Sequence, residues 1–177
     1  MIARSDHAES GAGRARIRHM EPDDAAGAAA LVSASWARTY GPLMGEERAA
    51  AESAKKHQPE MIAADMKRPH SESFVATAAD GTVVGYAYAI VTKGVLWLDR
   101  LHVAPEYQGT GLAADLLHAV MVNYLGEPSI SLEVLKGNDR AIRFYERQGF
   151  VATEERDACG NIAGVPALIM RKAIPRA

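Results

Sequence analysis

The stretch Leu98-Asp99-Arg100-Leu101-His102-Val103-Ala104-Pro105-Glu106-Tyr107-Gln108-Gly109-Thr110-Gly111-Leu112-Ala113 decides how this chain is read. Val95 to Val103 reads as a strand that Pro105 stops, because proline lacks the N–H that a sheet ladder needs. Gly109-Thr110-Gly111 then opens a helix, which Leu112, Leu116, Leu117, Val120 and Tyr124 carry through Leu125 at helical spacing. The first amides of a helix have no intrahelical acceptor, and the dipole favours negative charge there. Glycines let a phosphate come close to the main chain. Strand, glycine-rich turn and helix start together predict a pyrophosphate site, without saying for which cofactor.

Outward from this stretch, Asp80-Gly81 lies between Ser73 to Ala78 and Thr82 to Val91 and predicts a β-hairpin with a tight primed turn. Before it, Gly45 to Arg68 favours helix, broken at Pro59, with its charges read as a solvated face and His57 and His70 at no ligand spacing. Arg16 to Met20 alternates as a short strand, and Glu21-Pro22-Asp23-Asp24 starts a helix that carries Leu31, Val32 and Trp36 and should end before Tyr40-Gly41-Pro42. On the other side, Ile130 to Leu135 reads as a strand and Asp139 to Gln148 as a helix closed by Gly149. Val151 to Asp157 and Ala167 to Lys172 read as strands around a loop from Cys159 to Gly164. Residues 1–15 read as a disordered lead-in and 16–177 as one domain without internal repeats.

Composition narrows the classes. Of 177 residues, 48% are apolar and 24% charged, which supplies a core and excludes global disorder. The net charge of −2 argues against a protein that coats nucleic acid or an anionic membrane. One cysteine, Cys159, excludes an intrachain disulfide framework, and the six histidines lack ligand spacing, so no metal is expected. No apolar run approaches the ~20 residues that cross a bilayer, and no apolar segment near Met1 reads as a signal peptide. A cytoplasmic location is the resulting expectation.

Two cofactor readings compete for the glycine turn. Gly109-Thr110-Gly111-Leu112-Ala113-Ala114 fits the Rossmann pattern, with Glu133 a tempting ribose partner. The glycines stand well past Val103, however, Glu133 sits inside its own strand, and too little chain follows to complete a doubly wound domain. No Gly-Lys-Ser/Thr follows, so the turn is not a Walker A loop.

The second reading rests on a family resemblance. Gln108-Gly109-Thr110-Gly111-Leu112-Ala113 resembles motif A of the GNAT superfamily of N-acetyltransferases, and Asn138-Asp139-Arg140-Ala141-Ile142-Arg143-Phe144-Tyr145-Glu146-Arg147-Gln148-Gly149-Phe150 resembles the block that follows it. Pro22, Asp24, Trp36, Tyr40 and the Asp80-Gly81 hairpin stand in the family's order, so the resemblance runs from Arg16 to about Lys172. It implies an α/β fold: a mixed, mostly antiparallel sheet with a central splay, flanked by helices. It also implies acetyl-CoA as co-substrate and a primary amine on a small molecule or peptide as acceptor, joined by direct attack. A homodimer is left open.

By position, the resemblance assigns the amides of Gly109, Thr110, Gly111, Leu112 and Ala113, beside Gln108, to the pyrophosphate. Leu101 and Val103 would line the acetyl group and pantetheine arm, and Asn138 would contact that arm or cap its helix. Tyr145 matches the general acid, a role suited to a phenol of pKa about 10. Trp97 stands where many relatives carry a glutamate, leaving Asp99 as the candidate base, a water chain as the alternative, and His102 and Glu133 as structural residues. Asp65, Glu46, Glu47 and Asp157 are acidic residues that could draw a cationic amine. A different class of function, an acyl-CoA-binding sensor without turnover, also fits the missing glutamate.

Overall fold

The computed structural model describes residues 13–159 and 162–175, so most of the expected lead-in lies outside the described residues. In chain order the elements are β1 (Arg16–His19), α1 (Ala25–Met44), α2 (Glu46–Lys56), α3 (Pro59–Asp65), β2 (Ser71–Thr77), β3 (Val83–Thr92), β4 (Val95–Val103), α4 (Leu112–Asn123), β5 (Ser129–Leu135), α5 (Asp139–Arg147), β6 (Val151–Cys159) and β7 (Ile162–Ala173). One sheet of order β1-β2-β3-β4-β5-β7-β6 holds all seven strands. Every neighbouring pair is antiparallel except β4 and β5. The mixed, mostly antiparallel α/β sheet expected from the sequence is therefore present.

The parallel pair is short. Leu96, Trp97 and Leu98 face Ile130, Ser131 and Leu132, and there the ladder ends. Beyond that point β4 stays paired with β3 as far as Val103, and β5 with β7 as far as Leu135. The two strands part because each follows its other neighbour. A bulge marks the place: Ala89 pairs with Leu98 and Tyr88 with Arg100, which leaves Asp99 as the extra residue. Bulges bend a strand and raise its twist, which turns β4 away from β5.

Helices cover both faces of the sheet. Tyr86 and Tyr88 pair with His102 and Arg100, and this face meets α1 and α3 through Ser35 and Asp65. Gly85 points the other way, toward α4. A β-carbon there would stand 2.8 Å from Leu116 Cδ1 and 3.0 Å from Ala76 Cβ, so only glycine lets α4 sit this close. The first half of α1, with Ala28, Leu31 and Val32, joins the core built on β2, β3 and β4. Its second half, with Trp36, Tyr40 and Met44, packs against Leu135, Ile162, Val165 and Ala167. The entry to α1 is fixed by Arg18, whose guanidinium grips both oxygens of Asp24 at 2.6 and 2.9 Å and holds that carboxyl below its usual range.

Four local expectations need correction. α1 does not stop before Tyr40 but runs through Pro42 to Met44. A proline in the last turn forfeits a single backbone bond, and the helix ends instead at Gly45, at φ 88°. The primed-turn geometry falls at Lys93-Gly94, with φ 53° and 73°. In the Asp80-Gly81 turn only Gly81 is left-handed, and Asp80 Oδ1 accepts the Thr82 N–H at 2.9 Å. The helix expected from Gly109 begins at Leu112 and ends at Asn123. Of the stretch from Cys159 to Gly164, expected as a loop, Cys159 belongs to β6 and Ile162 to Gly164 to β7, whose pairing, with two register shifts, reaches Cys159 and Ile162. Burial of Ile162 and Val165 under α1 extends the pairing, a long-range contact that local turn signals do not carry.

Gly85→Val should test the close approach of α4. Overpacking against Leu116 and Ala76 is expected to lower unfolding stability by about 1–3 kcal/mol in urea titrations, with the far-ultraviolet spectrum of the folded protein unchanged.

Candidate functional site

A cleft of about 820 Å³ opens where β4 and β5 part. Its floor is Leu101, His102 and Val103 of β4 and Leu135 of β5. One wall is the glycine turn and α4 start with α5, and the opposite wall is Ser35, Arg38 and Thr39 of α1.

The glycine turn is built from the end of β4. Ala104 N–H bonds Val84 O at 2.8 Å, Pro105–Tyr107 makes a short 3-10 turn, and Gln108 Nε2 donates to Val103 O at 3.2 Å. Gly109 and Gly111 then take left-handed φ of 79° and 91°, and a β-carbon on either would face open space. The first bond of α4 runs from Asp115 N–H to Gly111 O at 3.0 Å, and no side chain caps the helix. The amides of Leu112, Ala113 and Ala114 are thus left without intrahelical acceptors, at the positive end of the dipole. A cradle of this kind suits a phosphate group.

On α5, Asn138 Oδ1 accepts Ala141 N–H at 3.3 Å, so the expected cap exists while the residue also lines the cleft. Tyr145 packs edge-on to Phe144 and Phe150 at 5.2 and 5.5 Å, and burial pushes its phenol well above the ordinary range. The group is a proton donor at any physiological pH. Arg140 and Arg147 of the same helix reach the cleft as well.

Of the residues singled out from sequence, Leu101, Val103, Gln108, Gly109, Gly111, Ala113, Asn138 and Tyr145 converge on the cleft. Thr110 and Leu112 are absent from the lining. The Thr110 hydroxyl turns to Tyr107 O at 2.6 Å, and Leu112 is buried in the core. Asp99 is not brought in either: as the bulge residue its side chain is 52% exposed, 3.8 Å from Arg100. Glu133 lies off the cleft, 3.6 Å from Arg156. Asp65 is engaged by Arg100 at 2.7 Å.

Sequence reasoning looked to Trp36 to Arg68 for the acceptor side but did not single out Ser35, Arg38 or Thr39, nor the place of His102. His102 Nδ1 lies 2.9 Å from Ser35 Oγ. Burial, then repulsion from His57 once that ring is protonated and from the guanidinium charges of Arg100 and Arg38, push the imidazole down to about 3. His57, to which the sequence assigned no ligand role, is buried 2.8 Å from Ser53 Oγ and edge-on to Trp36 at 5.1 Å. Its burial, with Arg100 and Lys56, pushes it down to about 4. Ser35, Arg38 and Thr39 share one face of α1 at helical spacing, the only sequence signal that could have found them.

Among the described residues, no cluster of three potential metal ligands occurs, and no helix is long and apolar enough to cross a membrane. A model of the acetyltransferase (GNAT) family matches residues 31–150. The spermine/spermidine N(1)-acetyltransferase of Bacillus subtilis (strain 168) is 33% identical over 108 residues, 54% of this chain and 70% of that protein. The PaiA N-acetyltransferase of Thermoplasma acidophilum, solved in complex with coenzyme A, superposes with a TM-score of 0.75 at 24% identity, covering 90% of this chain and 98% of its own. The ribosomal-protein-S18-alanine N-acetyltransferase of Escherichia coli superposes with a TM-score of 0.66 at 23% identity, covering 92% and 96%. The two structures share the fold.

Both depressed imidazoles have a consequence for acid stability. Their folded values of about 4 and about 3 lie below the ~6.5 of an unfolded histidine. Below that pH the unfolded chain binds more protons, so stability present at neutral pH is lost as pH falls toward those folded values. Urea unfolding should show a slope of ~2 kcal/mol per pH unit near pH 5, and His57→Gln should roughly halve it. A slope unchanged by that substitution would place the proton uptake elsewhere.

Proposed function

We propose that this chain, a member of the acetyltransferase (GNAT) family, moves the acetyl group of acetyl-CoA onto a primary amine by direct attack in the cleft where β4 and β5 part. The observation that carries the reading is one of position: a glycine-built cradle of unbonded helix amides opens beside the edge of β4 that β5 has left. Acting as a single domain from residue 16 onward, the chain would hold the donor's pyrophosphate on the amides of Gly109, Gly111, Leu112 and Ala113, beside Gln108. Leu101, Val103 and Asn138 would border the arm that leads to the thioester.

Acetyl-CoA supplies an activated thioester. The amine lone pair forms a C–N bond, the C–S bond breaks, and the proton shed by the amine balances the one taken by the departing sulfur. Tyr145 lines the cleft and carries its proton at neutral pH, which places it for the second transfer, while the burial that raises its phenol makes it a weaker acid toward the departing sulfur. Among the described residues no Asp or Glu lines the cleft. The amine must nevertheless arrive uncharged, although a lysine-like amine of pKa ~10.4 is mostly protonated near neutrality. Burial and the guanidinium charges of Arg100 and Arg38, which push His102 down, act on a bound ammonium in the same sense, favouring its neutral form without a dedicated carboxylate. Relatives named for spermine and spermidine support an amine as acceptor.

Gly111→Val tests the cradle. It forces a β-branched residue into a left-handed turn and puts methyl groups where phosphate should sit, so calorimetry should show coenzyme A affinity falling at least tenfold, about 1.4 kcal/mol. Unchanged affinity in a folded variant removes the pyrophosphate assignment.

Tyr145→Phe tests the acid. Acetyl-CoA affinity should hardly change while kcat drops ~100-fold with chemistry limiting. A kcat within about threefold of the parent makes Tyr145 a packing residue, with water as the acid.

A further inference from the structure

The α1 wall of the cleft carries a charge that the acetyl donor does not explain. Arg140 and Arg147 line the cleft from α5, the helix that Asn138 caps, and with acetyl-CoA in the cleft they are assigned to the donor's phosphates. Arg38 stands on α1, with Ser35 and Thr39 on the same helical face and His102 opposite. Its side chain is exposed to the cleft, and among the described residues no ion pair includes it. Arg18, Arg68, Arg100 and Arg156, by contrast, each have a carboxylate partner.

The acidic residues that might have matched a polycation are elsewhere. Asp65 is engaged by Arg100, Asp99 stands exposed on its bulge, and Glu46, Glu47 and Asp157 do not line the cleft. A polyamine held here by one reacting nitrogen would place its remaining ammonium groups beside Arg38 with no counter-charge. Taking such groups out of water without a partner is costly, and like charges add repulsion. A guanidinium with free donors has the opposite preference: its planar fork matches a carboxylate or a phosphate with two hydrogen bonds. The Thr39 hydroxyl lies in the same wall as a further donor, while Ser35 Oγ is bonded to His102 Nδ1 at 2.9 Å.

We infer that the acceptor is an amine that also bears an anionic group, and that Arg38, flanked by Ser35 and Thr39, is the site that selects it over polyamines. This rests on the reading of the cleft as an acetyl-transfer site. It divides the cleft's charge into two uses: α5 arginines for the donor, Arg38 for the acceptor.

Matched acceptors test it, with thiol release from acetyl-CoA as the readout. α- and ω-amino acids are compared with their amides, phosphoethanolamine with ethanolamine, and spermidine stands for the polyamines. The anionic member of at least one pair should exceed its neutral counterpart at least tenfold in kcat/KM, and spermidine should fall below it. Whether the amino acids or phosphoethanolamine lead distinguishes a carboxylate from a phosphate. Arg38→Gln should shrink the preference to about threefold or less, mainly through KM, while Arg38→Lys restores part of it. Calorimetry with acetyl-CoA, run on each variant, reports separately on the donor side.

A preference for spermidine, or an anionic preference that survives Arg38→Gln, overturns the inference and leaves acetyl transfer standing. So does the absence of turnover with every anionic amine in a protein that binds acetyl-CoA and acetylates another amine. A parent protein that neither binds acetyl-CoA nor releases thiol overturns the acetyl-transfer reading itself, and this inference with it.

Discussion

Two adjacent strands that stop hydrogen bonding partway along are the constraint on which the rest of this molecule depends. Leu98 and Leu132 are the last residues β4 and β5 share, and every element nearby answers to that separation. A parted edge exposes backbone groups that must be satisfied, and a sheet does not ordinarily open in its middle. Here β3 holds β4 and β7 holds β5 through long antiparallel ladders, so each half remains well paired after they diverge. The bulge at Asp99 absorbs the mismatch, and the Gln108 side chain meets the Val103 carbonyl on the freed edge. The opening is therefore built in by the ladders on either side rather than held by a ligand.

Electrostatics on the α1 face follow from what that opening exposes. Arg100 is fixed by Asp65 and lies over the Tyr88 ring at 5.3 Å, so a positive charge is permanently set behind the cleft floor. His57 and His102, packed nearby, stay neutral because burial and that charge both oppose protonation. The same environment that costs the fold some acid stability suits chemistry that needs an uncharged nitrogen. Stability and reactivity here draw on one arrangement of charge.

Legibility from sequence divides along contact range. The glycine turn and the block from Asn138 to Phe150 were readable because their geometry is local: left-handed glycines, a helix start and a cap lie within a few residues of one another. The fold class came with them through resemblance. What escaped was assembled from distant parts. His102 meets Ser35 across 67 residues of chain, so no spacing rule could pair them. The Asp99 bulge was invisible because regular alternation along a strand gives Asp99 the face of Leu101, and one extra residue breaks that alternation. The β6–β7 pairing outgrew its turn signals because α1 buries Ile162 and Val165, and α1 runs past Pro42 to Met44, which packs there.

That last contact gives α1 a mechanical meaning. Its first half is embedded in the core of β2, β3 and β4, its second half clamps Leu135 and the β7 residues Ile162, Val165 and Ala167, and the parted strands lie between. The helix is a crossbeam spanning the gap, anchored at its entry by the Arg18–Asp24 grip. Spreading or closing the halves of the sheet would disturb the packing of this beam on one side or the other. The ladders open the cleft, and the seating of this twenty-residue rod across it adds a gauge to its width, one that a change at Trp36 or Tyr40 would alter.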